Sequence, residues 1–112
     1  MNLEHSKTLP CLVNAFAGES QARNRYTFFS KVAKEEGYEQ ISDIFLVTAE
    51  NEKEHAKLFY KQIPDSKHFQ VNGTYPFSYG DTYSNLIAAA SGEREEWEIL
   101  YKQSAQIAKD EG

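Results

Sequence analysis

Glu52 and His55 stand three residues apart in a stretch, residues 41–59, whose pattern suits an amphipathic helix. Followed at alternating steps of four and three, the apolar stripe of that stretch runs Ile41, Phe45, Thr48, Glu52, His55 and Phe59. Two ionisable groups therefore occupy places where Leu would be expected. A carboxylate left uncompensated in a helical core costs several kcal/mol, roughly, so its position makes sense only when something neutralises it. Residues three apart on a helix project side by side, and Glu52 and His55 can reach a single cation with one oxygen and one imidazole nitrogen. Glu50, Asn51, Lys53, Glu54 and Lys57 fall on the opposite face and read as solvated charges and amides. A Glu-x-x-His pair is common by chance in charged helices, so its weight depends on the rest of the chain.

Two other stretches repeat the anomaly. Helix A, expected over 9–36 with Thr8 as N-cap and Pro10 in the first turn, carries the stripe Leu12, Ala15, Phe16, Glu19, Ala22, Tyr26, Phe29, Ala33. Glu19 breaks that seam beside Gly18, which costs about 1 kcal/mol relative to Ala in a helix and suggests close packing of a neighbour or ligand there. Gly37 suits the left-handed position that ends a helix. Helix B, expected over 39–63, stops at Pro64. Helix C, expected over 81–111 with Asp81 as N-cap, carries Leu86, Ala89, Ala90, Glu93, Glu96 or Trp97, Leu100, Ser104 and Ile107. Glu95 and Glu98 lie off that seam and read as a solvated acidic patch.

Between helices B and C lie 17 residues, 64–80, rich in Pro, Gly, Asn and Ser and holding Phe69, Tyr75, Phe77 and Tyr79. Such a segment can extend about 50 Å, more than the roughly 37 Å of a 25-residue helix. Helix C can therefore run parallel to helix B after a crossover, with the aromatics packing the crossover down. The 112 residues make one all-α domain.

An internal repeat ties these helices together. Residues 26–37, ending Val32-Ala33-Lys34-Glu35-Glu36-Gly37, match residues 101–112, ending Ile107-Ala108-Lys109-Asp110-Glu111-Gly112, without a gap. Upstream, Gly18-Glu19 matches Gly92-Glu93 only when helix C is allowed one extra residue. An inserted residue is commonly absorbed as a π-bulge, which predicts a π-type hydrogen-bond pattern between about Glu93 and Tyr101 and lets both Glu93 and Glu96 face inward.

Composition narrows the functional classes. A net charge of −5 without a Lys/Arg cluster disfavours nucleic acid and acidic membrane surfaces as partners. The longest apolar runs are a few residues, so neither a transmembrane helix nor a signal peptide is expected, and a cytoplasmic location follows as the default. Cys11 is the single cysteine, which excludes an internal disulfide and a Cys-x-x-Cys site, and it reads as a small core residue. His5 and His68 read as surface residues.

The inward ionisable set is thus Glu19, Glu52, His55, Glu93 and Glu96. Four carboxylates in one apolar interior repel and protonate unless bound cations match their charge, and oxygen-plus-imidazole ligation suits iron or manganese over structural zinc. Ferritin-like dimetal bundles use the same donor types: a Glu from each of two helices and a Glu-x-x-His from each of the other two.

The segment Ala15-Phe16-Ala17-Gly18-Glu19-Ser20-Gln21-Ala22-Arg23-Asn24-Arg25-Tyr26 closely resembles the diiron domain of rubrerythrins. So do Ile41-Ser42-Asp43-Ile44-Phe45, Glu52-Lys53-Glu54-His55-Ala56-Lys57, Asp81-Thr82 with Asn85-Leu86, and Gly92-Glu93. The resemblance covers nearly the whole chain except the crossover. It implies a ferritin-like four-helix bundle, of which this chain supplies three long helices, and a non-haem diiron peroxidase that reduces hydrogen peroxide to water in oxidative-stress defence. The implied cofactor is two iron ions, with manganese or zinc as substitutes. On that resemblance Glu19 is a terminal ligand, Glu52 bridges the irons, and Glu93 is a terminal ligand of the other iron. Glu96 and His55 are alternative ligands between which one iron moves, and Tyr26 and Tyr101 match tyrosines that hydrogen-bond the ligand carboxylates. By spacing alone both tyrosines read equally well as aromatic core.

Two features depart from the family pattern. Nothing in these residues replaces the rubredoxin domain, so the electron donor is expected to be external, such as rubredoxin. The fourth helix, with its second Glu-x-x-His, has no counterpart among the three. The bundle is therefore expected to be completed by another polypeptide, either a remaining segment of the same protein or a second copy, and the chain alone is not expected to be a stable monomer. Ferroxidase or iron-handling activity and a metal-free helical assembly module are the competing functions.

Overall fold

A computed structural model of the protein describes residues 7–64, 68–95 and 102–111, with the side chains of 93–95, 102, 104 and 108 excepted. Regular structure among these residues is entirely helical: α1 (Thr8–Glu35), α2 (Glu39–Gln62), α3 (Thr82–Glu95) and α4 (Lys102–Glu111). The span expected as a single helix C contains α3 and α4. Residues 96–101, where most of the expected π-bulge falls, lie outside the described residues.

α1 and α2 form an antiparallel hairpin. Gly37 takes φ +89°, a conformation open to glycine at little cost. The Tyr38 N–H donates to Ala33 O at 2.8 Å and the Gly37 N–H to Lys34 O at 3.1 Å, so the last carbonyls of α1 are satisfied as the chain reverses. Next to the turn, the Ser30 hydroxyl donates to Ser42 O and the Ser42 hydroxyl to Ser30 O, each at 2.9 Å, both side chains buried. Ala22, Tyr26 and Phe29 of α1 then pack with Phe45 and Ala49 of α2, and Ile41 and Ala89 close over them.

The buried residues of α2 are Ser42, Phe45, Ala49, Glu52 and Ala56. This corrects the expected stripe: Ile41, Thr48 and Phe59 are half-buried and His55 is exposed. The reason is size. Small residues at 42, 49 and 56 let α2 approach α1 closely, which turns the larger neighbours to the flank of that contact. On α1 the buried set from Glu19 to Ala33 contains every stripe position expected there, whereas near the start Leu9 and Val13 are buried and Leu12, Ala15 and Phe16 only half so.

Thr8 is the first residue of α1 rather than its N-cap. Lys7 holds the cap position and makes no side-chain cap bond. Glu111 serves instead, accepting the Thr8 N–H at 2.7 Å and the Lys7 N–H at 2.6 Å. At the other end of α1, Glu36 accepts the Thr82 N–H at 2.8 Å. α3 therefore starts at the C-terminal end of α1 and α4 finishes at its N-terminal end, so both run antiparallel to α1 and parallel to α2. Between them the crossover follows α1, with the Asn72 N–H on Asn14 Oδ1 at 2.9 Å and the Tyr75 hydroxyl on Asn14 O at 3.3 Å. Phe77 and Tyr79 do not pack it down as expected: they are 91% and 69% exposed. Among the described residues α2 and α3/α4 flank α1 without approaching each other.

Asp81 caps α3 by accepting the Ser84 N–H at 2.8 Å, and Asn85, buried, closes the entry by bonding both the N–H and the carbonyl of Gly80. The Ser84 backbone N–H, followed by the Ser84 hydroxyl, holds the Asp81 carboxyl below the usual carboxylate range. A carboxyl depressed in the folded state stabilises fully above its unfolded pKa, and that stabilisation is lost as pH falls through its folded pKa. Asp81→Ala should accordingly lower the melting temperature at pH 7 and converge with the unsubstituted protein in acid. A melting difference of constant size from neutral to acid pH contradicts the capping role.

Candidate metal centre

Glu19 lies midway along α1 and Glu52 midway along α2, on the faces that the two helices turn toward each other. Both are buried, 3% and 6% exposed, beyond the aromatic cluster as seen from the hairpin turn. Ala22, Ala49 and Ala56 are buried on the same helix faces as these carboxylates. His55, one turn past Glu52, reaches back over them. Its Nδ1 is 3.7 Å from Glu19 Oε2 and 3.8 Å from Glu52 Oε2. One donor atom from each of Glu19, Glu52 and His55 lies within 4.8 Å of the other two.

The three side chains differ in environment. The His55 side chain is 55% exposed, against 5% for Glu19 and 8% for Glu52. Glu52 Oε2 accepts no hydrogen bond from the described residues although solvent does not reach it. An acceptor buried in that way costs about 1–3 kcal/mol, more when charged. Two buried carboxylates and an imidazole aimed at one point are the donor set of a divalent transition metal, and oxygen-rich ligation with one imidazole suits iron or manganese. The residues present fit such an ion, since a cation between them meets the Glu52 acceptor and offsets the charge of both carboxylates.

Of the other sequence-derived candidates, Tyr26 is buried and packs on Phe45 and Phe29 at ring-centroid distances of 6.0 and 6.2 Å. Glu93 falls in α3, but its side chain lies outside what is described, as do Glu96 and Tyr101. His68 is exposed and Cys11 half-buried.

The rubrerythrin family model matches residues 11–112. The chain belongs to the rubrerythrin family. Rubrerythrin-1 of Clostridium acetobutylicum is 57% identical over 115 residues, covering 99% of this chain and 59% of that protein. The rubrerythrin of Porphyromonas gingivalis is 51% identical over 112 residues, covering 99% of this chain and 56% of the relative. That of Nitratidesulfovibrio vulgaris is 45% identical, with 99% and 58% covered. The chain thus spans less than two thirds of the length of these rubrerythrins. Among the described residues regular structure is all-α, and no helix is long and apolar enough to cross a membrane.

Spacing alone did not disclose Glu36 and Glu111, which close the helix starts of α3 and α1. Their bonded partners are 46 and 103 residues away in sequence, beyond the reach of any local capping pattern.

Proposed function

We propose that this chain is the metal-binding part of a cytoplasmic non-haem diiron peroxidase that reduces hydrogen peroxide to water in defence against oxidative stress. The observation that carries the proposal is the convergence of Glu19, Glu52 and His55 in a chain of the rubrerythrin family. Glu19, Glu52 and His55 would hold the hairpin's share of the iron, and Glu93 and Glu96 of the α3/α4 segment would hold the rest. A bound iron pair supplies the two electrons that peroxide reduction consumes, and an external donor such as rubredoxin restores them.

The protein's own groups divide the remaining work. Glu19 and Glu52, buried between the helices, would present carboxylate oxygens to the metal from positions sheltered from water. His55, more than half exposed, is the ligand that can leave with least disturbance of the core. His55 and Glu96 would serve as alternative ligands to one of the ions. Tyr26 belongs to the packed aromatic wall below the carboxylates, which keeps that end of the site dry.

Because α2 and α3/α4 pack on α1 and not on each other among the described residues, a fourth helix supplied by a further segment of the protein or by a second copy would complete the bundle between them. Ile41, Thr48 and Phe59, half-buried on the flank of α2, would pack against it.

Mixing the ferrous protein with peroxide and with dioxygen in a stopped-flow instrument tests the activity. Oxidation by peroxide should be much the faster. A faster reaction with dioxygen overturns the peroxidase proposal and favours ferroxidase or iron-handling chemistry.

A further inference from the structure

The ends of the two repeat halves clamp one another. Glu36 Oε1 accepts the backbone N–H of Thr82 at 2.8 Å and also the Thr82 hydroxyl. Glu111 Oε1 accepts the backbone N–H of Thr8 at 2.7 Å and the Thr8 hydroxyl at 2.6 Å. The two contacts are the same contact made twice. Glu36 and Glu111 are equivalent in the repeat, 75 residues apart, and Thr8 and Thr82 are related by the 74-residue offset that relates Gly18 to Gly92. The last glutamate of each half thus closes the first helical turn of the other. A carboxylate there satisfies N–H groups that helix geometry leaves unbonded and faces the positive end of the helix dipole.

Glu19 and Glu93 each stand at the same distance from the clamp that closes their own helix. Glu19 follows Thr8 by 11 residues, and Glu93 follows Thr82 by 11 residues, about three helical turns in each case. Because the helices run antiparallel, the clamps sit at opposite ends of α1. A slip along α1 by one residue, about 1.5 Å, would strain the Glu36 clamp if α3 moved and the Glu111 clamp if α4 moved, since hydrogen bonds tolerate only a few tenths of an ångström.

We propose that Glu36 and Glu111 are positioning residues for the metal centre: as a reciprocal pair of clamps they fix the height of the α3/α4 segment against the α1/α2 hairpin, and so the height at which Glu93 meets Glu19 and Glu52. The proposal rests on the diiron function above and adds residues that touch no metal.

Cobalt(II) titration of the intact metal-free protein, followed by visible absorption and with helicity checked by circular dichroism, tests it. The unsubstituted protein takes up two ions. In the Glu36→Ala, Glu111→Ala double variant, affinity for the second ion falls on the order of tenfold, the size of effect that loss of a helix cap has on an equilibrium. The ion held by Glu19, Glu52 and His55 stays. The Glu36→Gln, Glu111→Gln variant keeps an oxygen acceptor at each clamp and recovers the second ion. Should the alanine variant lose helicity, Thr8→Val with Thr82→Val decides, because it removes the hydroxyls and spares the backbone bonds; the second ion then binds more weakly than in the unsubstituted protein. Unchanged two-ion titration in a folded clamp variant, with a lower melting temperature alone, overturns the positioning role and leaves the diiron function standing. If the unsubstituted protein, in the assembly that completes its bundle, takes up no second ion, the diiron function itself falls, and this proposal with it.

Discussion

Glu52→Ala should abolish metal binding by the hairpin while leaving the metal-free protein about as stable as before, or more so. Glu52 is one of two buried carboxylates in a group of three donors, and its removal leaves Glu19 with a mostly exposed imidazole. The loss of metal affinity should exceed the roughly 10–100-fold that follows removal of a residue merely supporting a ligand. Stability moves differently because the Glu52 carboxylate is buried and one of its oxygens accepts no hydrogen bond from the described residues. Removing a poorly compensated buried charge relieves a cost that offsets the small cavity left behind. Iron counting and thermal melting of the metal-free variant check the two halves separately. Retention of two irons refutes the metal assignment, and a large drop in metal-free melting temperature refutes the account of the buried carboxylate.

Phe29→Ala should do the reverse, damaging the fold first and the metal site only as a consequence. Phe29 is 2% exposed and meets Phe45 edge-on at a centroid distance of 5.6 Å, with Tyr26 at 6.2 Å. It joins α1 to α2 and lies in the cluster against which Ala89 of α3 packs. Truncating a buried Phe to Ala costs about 3–5 kcal/mol, a large share of the 5–15 kcal/mol typical of a whole domain. Urea denaturation should show the midpoint displaced accordingly. A change below about 1 kcal/mol, the lower end of what single core substitutions cost, would mean that this cluster does not hold the hairpin together.

The seam of α1 from Glu19 onward, the left-handed Gly37 and the Asp81 cap were legible because each depends on neighbours within a turn or two. So was the gathering of Glu19, Glu52 and His55, since ionisable residues on two apolar seams must meet once the seams pack. The face of α2 was read less well. A stripe that includes 41/45/48 as well as 42/45/49 is wide enough for two interfaces, and periodicity does not say which of them α1 takes. The small side chains of Ser42, Ala49 and Ala56 decide it, and they leave His55 at the exposed edge. The Glu36 and Glu111 clamps were hidden for a different reason: each joins parts of the chain far apart in sequence. The repeat did carry a trace of them, because it makes these two glutamates, and the threonines they hold, equivalent. The crossover aromatics show the limit of composition as a guide, since Tyr75 packs on α1 while Phe77 stands in solvent.

Anomalous diffraction from crystals of the iron-loaded protein, recorded on both sides of the iron absorption edge, tests the central claim most directly. A dispersive-difference peak is expected between the Glu19 and Glu52 carboxylates and within bonding distance of one of them and of His55 or Glu96. A loaded crystal whose iron peaks lie away from Glu19 and Glu52 would contradict the assignment of this cluster as the metal centre.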